Sequence, residues 1–234
     1  MNQEDVWDNE YKRKQMLSPS TLPQADVVRF MRWLKKEKKK AGTPIDVDTF
    51  TVLDLGSGTG RNALYMAQMG ATVIGYEVAE TALAMARKQA RHAELPITYE
   101  KHDIGKPYQL PTASVDLVLD VTSSNSLSEE GRRTYLAEVS RVLKPNGWLF
   151  VRALSLEGDA HAKRLVKDFP GASADTYVHP DLGVVEKVFS RESFIATYAP
   201  YFTVAKLERV SHYPNVAGRR YKREYWIAYL TKEA

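Results

Sequence analysis

Nine residues limit what this chain can fold into more than any other stretch: Val52-Leu-Asp-Leu-Gly-Ser-Gly-Thr-Gly60. An apolar run of the buried-strand type passes into a glycine-dense turn, and a helical stretch begins close behind it, near Asn62. Glycine lets the backbone turn tightly and approach a ligand, and a helix N-terminus offers free N–H groups. Gly56, Gly58 and Gly60, with Ser57 between them, therefore mark a site for a negative or strongly polar group. Twenty-one residues past Gly56, at the end of the next apolar run, stands Glu77, where a carboxylate can bind both hydroxyls of a ribose.

From Phe50 onward short apolar runs alternate with amphipathic segments, the pattern of βαβ units and a mostly parallel sheet. The pattern predicts strands at 51–55, 72–76, 98–102, 115–121 and 148–153, with helices at 61–69, 80–93 and 129–143 and a turn at Lys144-Pro-Asn-Gly147. A further helix is expected at 191–198. The β-rich runs 202–213 and 220–231 flank Pro214-Asn-Val-Ala-Gly218 and predict a long antiparallel hairpin at the C-terminal edge. Ahead of the sheet, 4–16 reads as a short amphipathic helix. A loop with two prolines follows, and then a helix over 23–40 that a Thr21/Gln24 capping box would start and Gly42 would end. The organisation expected is one domain over 1–234: an N-terminal helical segment or lid at 1–45, a ligand-binding core at 50–153, and an insertion with the hairpin at 154–234.

Composition narrows the chemistry. The chain has no cysteine among its 234 residues, which excludes disulfides, thiolate zinc sites and cysteine nucleophiles. With 44% hydrophobic and 26% charged residues it reads as an ordinary globular protein, with no apolar stretch of spanning length and no secretory signal, so a cytoplasmic location is expected and no membrane partner. A net charge of +4 permits an anionic partner without requiring one.

The loop by itself leaves two ligand classes open, because Gly58-x-Gly60-x-x-Ala63 also satisfies the dinucleotide fingerprint of NAD-dependent oxidoreductases. Two carboxylates tilt the balance: Asp54, two residues before the first glycine, and Asp103, read as the end of the third strand. A carboxylate beside the loop suits a ligand with a cationic amino acid end better than a pyrophosphate.

At these residues the sequence resembles the class I S-adenosylmethionine-dependent methyltransferases of the broad methyltransferase-domain type. The likeness covers about residues 50–153, and Trp7-Asp-Asn-Glu-Tyr11 is similar to the tellurite-resistance-like branch. The resemblance implies a Rossmann-like α/β fold with a seven-stranded mixed sheet, six strands parallel and one antiparallel, and helices on both faces. It implies that Asp54, Gly56, Ser57, Gly58, Gly60 and Asn62 hold the methionine end of S-adenosylmethionine and that Glu77 and Val78 hold the ribose. Asp103 and Ile104 would lie near the adenine, and Asp120 beside the transferred methyl. Arg141-Val-Leu-Lys-Pro-Asn-Gly147 resembles the signature before the fifth strand.

The family shares a cofactor and not an acceptor. Without cysteine, cytosine C5 methylation is set aside. Asp120-Val-Thr-Ser-Ser-Asn-Ser126 lacks the Pro-Pro-aromatic segment of the enzymes that methylate nucleic-acid amino groups, while Thr122, Ser123, Ser124 and Asn125 offer small polar groups to a compact acceptor. The expectation is a small-molecule acceptor. RNA, protein and a non-catalytic cofactor-binding subunit are the alternatives, and the oligomeric state is open. For proton transfer the candidates are Asp120, His161, His179 and Tyr11, with His212 also weighed; each histidine reads equally as a surface group. Trp7 and Tyr11 serve either as a lid or as packing. The basic run Lys35–Lys40 reads as a helix C-terminus, and the basic and aromatic residues 219–226 as an edge strand rather than a nucleic-acid surface.

Overall fold

The computed structural model describes residues 3–13, 20–213, 215–216, 219–220 and 222–233. In chain order the elements are α1 (Gln3–Arg13), α2 (Ala25–Lys40), β1 (Thr51–Leu55), α3 (Arg61–Gln68), β2 (Thr72–Glu77), α4 (Glu80–His92), β3 (Ile97–Lys101), β4 (Val115–Val121), α5 (Glu129–Val142) and β5 (Leu143–Leu154). There follow α6 (Ala160–Asp168), β6 (Thr176–Val178), β7 (Val185–Lys187), α7 (Arg191–Tyr198), β8 (Thr203–His212), β9 (Asn215–Val216), β10 (Arg219–Arg220) and β11 (Arg223–Thr231).

Seven strands form the central sheet in the order β3-β2-β1-β4-β5-β11-β8. β1 to β5 pair in parallel, and the two antiparallel pairings are both made by β11, to β5 on one side and β8 on the other. Successive strand residues point to opposite faces, and the sequence uses both. Val52, Leu117, Leu119 and Phe150 meet α2, α3 and α4, whereas Leu53, Leu55, Val118 and Val151 meet α5 and α7. On the first face Phe30 is fully buried against Trp33, Phe150 and Tyr229. Burying a side chain of that size stabilises by about 1.5–3 kcal/mol. Strand order reverses between β1 and β4, and that reversal leaves a crevice at the carboxyl ends of these two strands.

The departures from the sequence reading are local. Lys144 to Gly147 is not a free turn but the irregular start of β5: Leu143 already pairs with Val115, the register shifts, Asn146 takes a left-handed φ of 61°, and its N–H donates to the Lys232 carbonyl. The Thr21/Gln24 capping box does not form. Helix α2 starts at Ala25, and the Gln24 N–H is taken by the side chain of Asn62 at 2.9 Å. Of the 219–226 run, 223–226 lie in β11, which is paired on both sides while β8 is the edge of the sheet, and Arg219 and Arg220 form β10 against β9. Asp103 lies two residues past the end of β3. Between 154 and 190 the sequence reading had no elements, yet α6, β6 and β7 lie there. Residues 14–16 of the expected first helix, 17–19 of the following loop and most of 214–218 lie outside the described residues.

Candidate functional site

The crevice takes its shape from the turn after β1. Gly56, Gly58 and Gly60 all have left-handed φ values of 61°, 55° and 86°, which other residues adopt only under strain. There is also no room for side chains: a Cβ on Gly58 would stand 2.6 Å from the Tyr11 hydroxyl, and one on Gly56 would collide with Ser123. The Ser57 N–H donates to the Tyr76 carbonyl and the Gly60 N–H to the Ser57 carbonyl, both at 2.9 Å, so the loop is held from inside.

Two carboxylates face this loop. Glu77 ends β2; one oxygen accepts the Gly58 N–H and the other the N–H groups of Val78 and Ala79, all at 2.9 Å. Burial pushes its carboxyl up, and these three donors pull against that shift. Asp54 is 1% exposed and its Oδ2 has no hydrogen-bond partner. Burial pushes its carboxyl up to about 7; Arg61 and the Ala63 N–H oppose the shift, and the charges of Glu77 and Asp120 add to it. A buried, unsatisfied carboxylate oxygen is costly in the free protein and invites a cationic partner.

Beside the loop opens a narrow cleft with about 150 Å³ of free space. Gly56, Glu77, Val78, Asp103 and Ile104 line one side, and Thr122, Ser123, Ser126 and Leu127 line another. Helix α1 lies over it with Gln3, Trp7 and Tyr11 facing in. Three polar contacts strap that helix down: Gln3 Nε2 donates to the Ser126 carbonyl at 2.8 Å, Asp8 accepts the Thr81 N–H at 2.7 Å, and Glu4 pairs with Lys101 at 2.5 Å. Burial, with the charges of Glu77 and Asp54 nearby, pushes the Tyr11 phenol well above its ordinary range, so it is a hydrogen-bond donor and not a base.

Of the residues singled out in the sequence, the structure brings the glycine loop, Ser57, Asp54, Glu77, Val78, Asp103, Ile104 and Tyr11 together. Asn62 turns away and serves as the anchor of α2. Asp120 is fully buried and spent on structure. One oxygen accepts from the Ser123 N–H, the Ser123 hydroxyl and the Ser124 N–H, and the other from the Tyr135 hydroxyl at 2.8 Å. It shapes the 122–126 loop and does not line the cleft. Neither His161, on α6, nor His179, after β6, lines the cleft; His212 sits 3.2 Å from Asp26 and edge-on to Tyr225.

Sequence reasoning missed His102, which lines the cleft and lies tilted against Tyr76, ring centres 4.4 Å apart. It also missed Arg132, a buried cation that donates to the carbonyls of Ser124 at 2.8 Å and Leu127 at 3.1 Å and so pins the wall. His102 directly precedes Asp103 at a strand end, which was a usable signal; Arg132 gave none. Among the described residues no group of three or more His, Asp or Glu is placed to hold a metal, and no helix is long and apolar enough to cross a membrane.

These residues fit a ligand with a ribose and a cationic amino acid end: Glu77 lies in the cleft, and the unpartnered oxygen of Asp54 lies behind the loop. Comparison with known proteins points to the same stretch. Residues 52–147 match the family described as methyltransferase domain; Trp7 to Tyr11 lies outside that span. The demethylmenaquinone methyltransferase of Tropheryma whipplei is 32% identical over 118 residues, which cover 50% of this chain and 45% of that protein. A structure solved for the conversion of a disulfide bond into a thioacetal group during echinomycin biosynthesis superposes with a TM-score of 0.71 at 21% identity, covering 99% of this chain and 93% of that one. The 1,6-didemethyltoxoflavin-N1-methyltransferase of Burkholderia thailandensis, solved with its substrate and S-adenosylhomocysteine, gives 0.61 at 16% identity, covering 94% of each chain. At those identities the two structures share the fold. Residues 52–147, which supply most of the cleft's lining, match a methyltransferase domain, and S-adenosylmethionine is the cofactor of such domains.

Proposed function

We propose that this protein transfers a methyl group to a nucleophilic oxygen, nitrogen or sulfur atom of a small molecule, with S-adenosylhomocysteine as the second product. S-Adenosylmethionine supplies an electrophilic methyl on a sulfonium, and an acceptor lone pair displaces the thioether. The chain's own residues bind and orient. The glycine loop and Asp54 hold the methionine end, Glu77 and Val78 the ribose, and Asp103 and Ile104 the adenine side. Ser126 offers a hydroxyl to an acceptor, the hydroxyls of Thr122 and Ser123, which donate to the Val121 carbonyl and to Asp120, can still accept from one, and Tyr11 offers a proton for hydrogen bonding. Positioning of this kind supplies much of the rate of a two-reactant displacement.

The observation that carries the small-molecule reading is the roof: α1 crosses the cleft, with Gln3, Trp7 and Tyr11 facing in, and narrows the access to it. The names of the quinone-precursor and toxoflavin enzymes agree with it. The test begins with calorimetric titration of S-adenosylhomocysteine, with NAD as control, and continues with methyl-labelled cofactor offered to metabolite extract, bulk RNA and protein. Label in metabolites alone supports the reading. Label in RNA or protein alone overturns it, and binding without any labelled product makes the chain a cofactor-binding subunit.

A further inference from the structure

Two guanidiniums near the glycine loop, neither of them in the lining of the cleft, have more donors than the protein satisfies. Arg152, near the carboxyl end of β5, is only 8% exposed; its Nε donates to Asp26 at 3.3 Å and its guanidinium lies 3.4 Å over the Tyr225 ring. Its terminal nitrogens make no hydrogen bond to a described residue. Asp26 is not its private partner, because the same fully buried carboxylate takes Arg29 at 2.8 Å and His212 at 3.2 Å. Arg61 follows the last loop glycine and is half-buried, with no hydrogen bond or ion pair to any described residue. Asp54 is near enough to act on it through space but makes no ion pair with it, and Arg152 is near enough to repel it.

The backbone brings this pair towards the cleft. The Thr122 N–H, from a residue that lines the cleft, donates to the carbonyl of Arg152 at 2.8 Å, and Arg61 acts through space on Tyr11, which lines it too. The N-termini of α2 and α3 meet at the same place, joined by the Gln24 N–H and the Asn62 side chain at 2.9 Å, and add positive ends to the two cations. Buried cations without full pairing are costly, and paired N–H forks match a planar carboxylate in charge and shape.

We infer that Arg61 and Arg152 form the seat of a carboxylate at the β5 end of the cofactor cleft. The inference rests on the methyltransferase reading for the sources of that carboxylate: the amino acid end of the cofactor, or an acidic acceptor lying beside it.

The test compares wild type, Arg61→Gln, Arg152→Gln and Arg152→Lys by calorimetry. The probes are S-adenosylhomocysteine, methylthioadenosine, which lacks the amino acid end, and benzoate as a plain carboxylate. If the cofactor supplies the group, both glutamine variants weaken S-adenosylhomocysteine about tenfold or more, methylthioadenosine changes less than twofold, and Arg152→Lys falls between. If the acceptor supplies it, S-adenosylhomocysteine is unchanged, and saturable benzoate binding to the loaded protein disappears in the variants. Equal binding of all three probes by wild type and variants overturns the seat. Should Arg152→Gln unfold because Asp26 loses a partner, Arg61→Gln, which breaks no ion pair, decides alone. Failure of wild type to bind S-adenosylhomocysteine sinks the methyltransferase reading instead; benzoate binding to the free protein that is lost in Arg61→Gln would still support the seat.

Discussion

The floor of the cleft is made by residues near one another in sequence, and its roof and far wall by residues far apart. On the floor, the Gly58 N–H meets the Glu77 carboxylate across 19 positions, and Glu77 closes on its own neighbours Val78 and Ala79. On the roof, Gln3 reaches the carbonyl of Ser126 across 123 positions, and in the wall Asn125 Nδ2 donates to the Lys187 carbonyl across 62. The floor has backbone conformations and close approaches that favour glycine; the roof is fastened by side chains that many residues could replace. On the proposed function, the first would fix the cofactor chemistry and the second would choose the acceptor.

Mutations can set the two regions against each other. The largest effect is expected from Gly56→Ala, which needs a left-handed φ and a Cβ where Ser123 stands. It should abolish S-adenosylhomocysteine binding in calorimetry and lower stability by about 1–3 kcal/mol in a denaturant titration. Next comes Glu77→Gln, which keeps the shape and removes the charge from three N–H contacts. Charge-assisted hydrogen bonds are worth about 1.5–3 kcal/mol, so affinity should fall roughly tenfold to a hundredfold. An unchanged affinity would remove Glu77 from the floor.

The pH response of Asp54 is the third test. Its folded-state carboxyl, at about 7, lies above the ordinary value of 3.8, so the folded protein holds a proton that the unfolded chain releases. The contribution of this group to stability is therefore complete below about pH 4 and is lost as pH rises through about 7. A cationic ligand favours the ionised form, so binding of S-adenosylmethionine should tighten as pH rises towards 7 and level off above it. Asp54→Asn should flatten both curves, and a profile indifferent to that change would show the carboxylate to be uninvolved.

Smaller effects belong to the wall. Arg132→Met removes the donors that hold Ser124 and Leu127 and should loosen the 122–127 segment, with S-adenosylhomocysteine weakened only a few-fold and faster amide exchange at Ser124 to Leu127. Least of all, His161→Ala and His179→Ala should leave cofactor affinity within about twofold; a larger loss would extend the site into the insertion.

The same division explains what could be read in advance. The floor and the first five strands were legible because alternation, glycine turns and strand-end acids are written in consecutive residues: β1 and β4 fall where their apolar runs do, and Glu77 closes β2. Asp120 misled because a buried aspartate that caps a loop and one that faces a ligand have the same local sequence. Only the Tyr135 hydroxyl, from another element, distinguishes them. The insertion was illegible because β6 and β7 are three residues each, too short for a period to show. Arg61 and Arg152 were passed over for a different reason: each is one ordinary charge until the fold brings helix α3 and β5 close enough for the two to repel.

Helix α1 is fastened by hydrogen bonds and ion pairs, with Val6 and Glu10 its only residues buried among those described. Such a fastening opens far more readily than an apolar seam, and salt weakens the surface ion pairs within it. On the proposed function, ligand traffic through the mouth would be timed by how often the helix lifts. Turnover should then rise with ionic strength while the grip on product slackens, one segment setting both residence time and throughput.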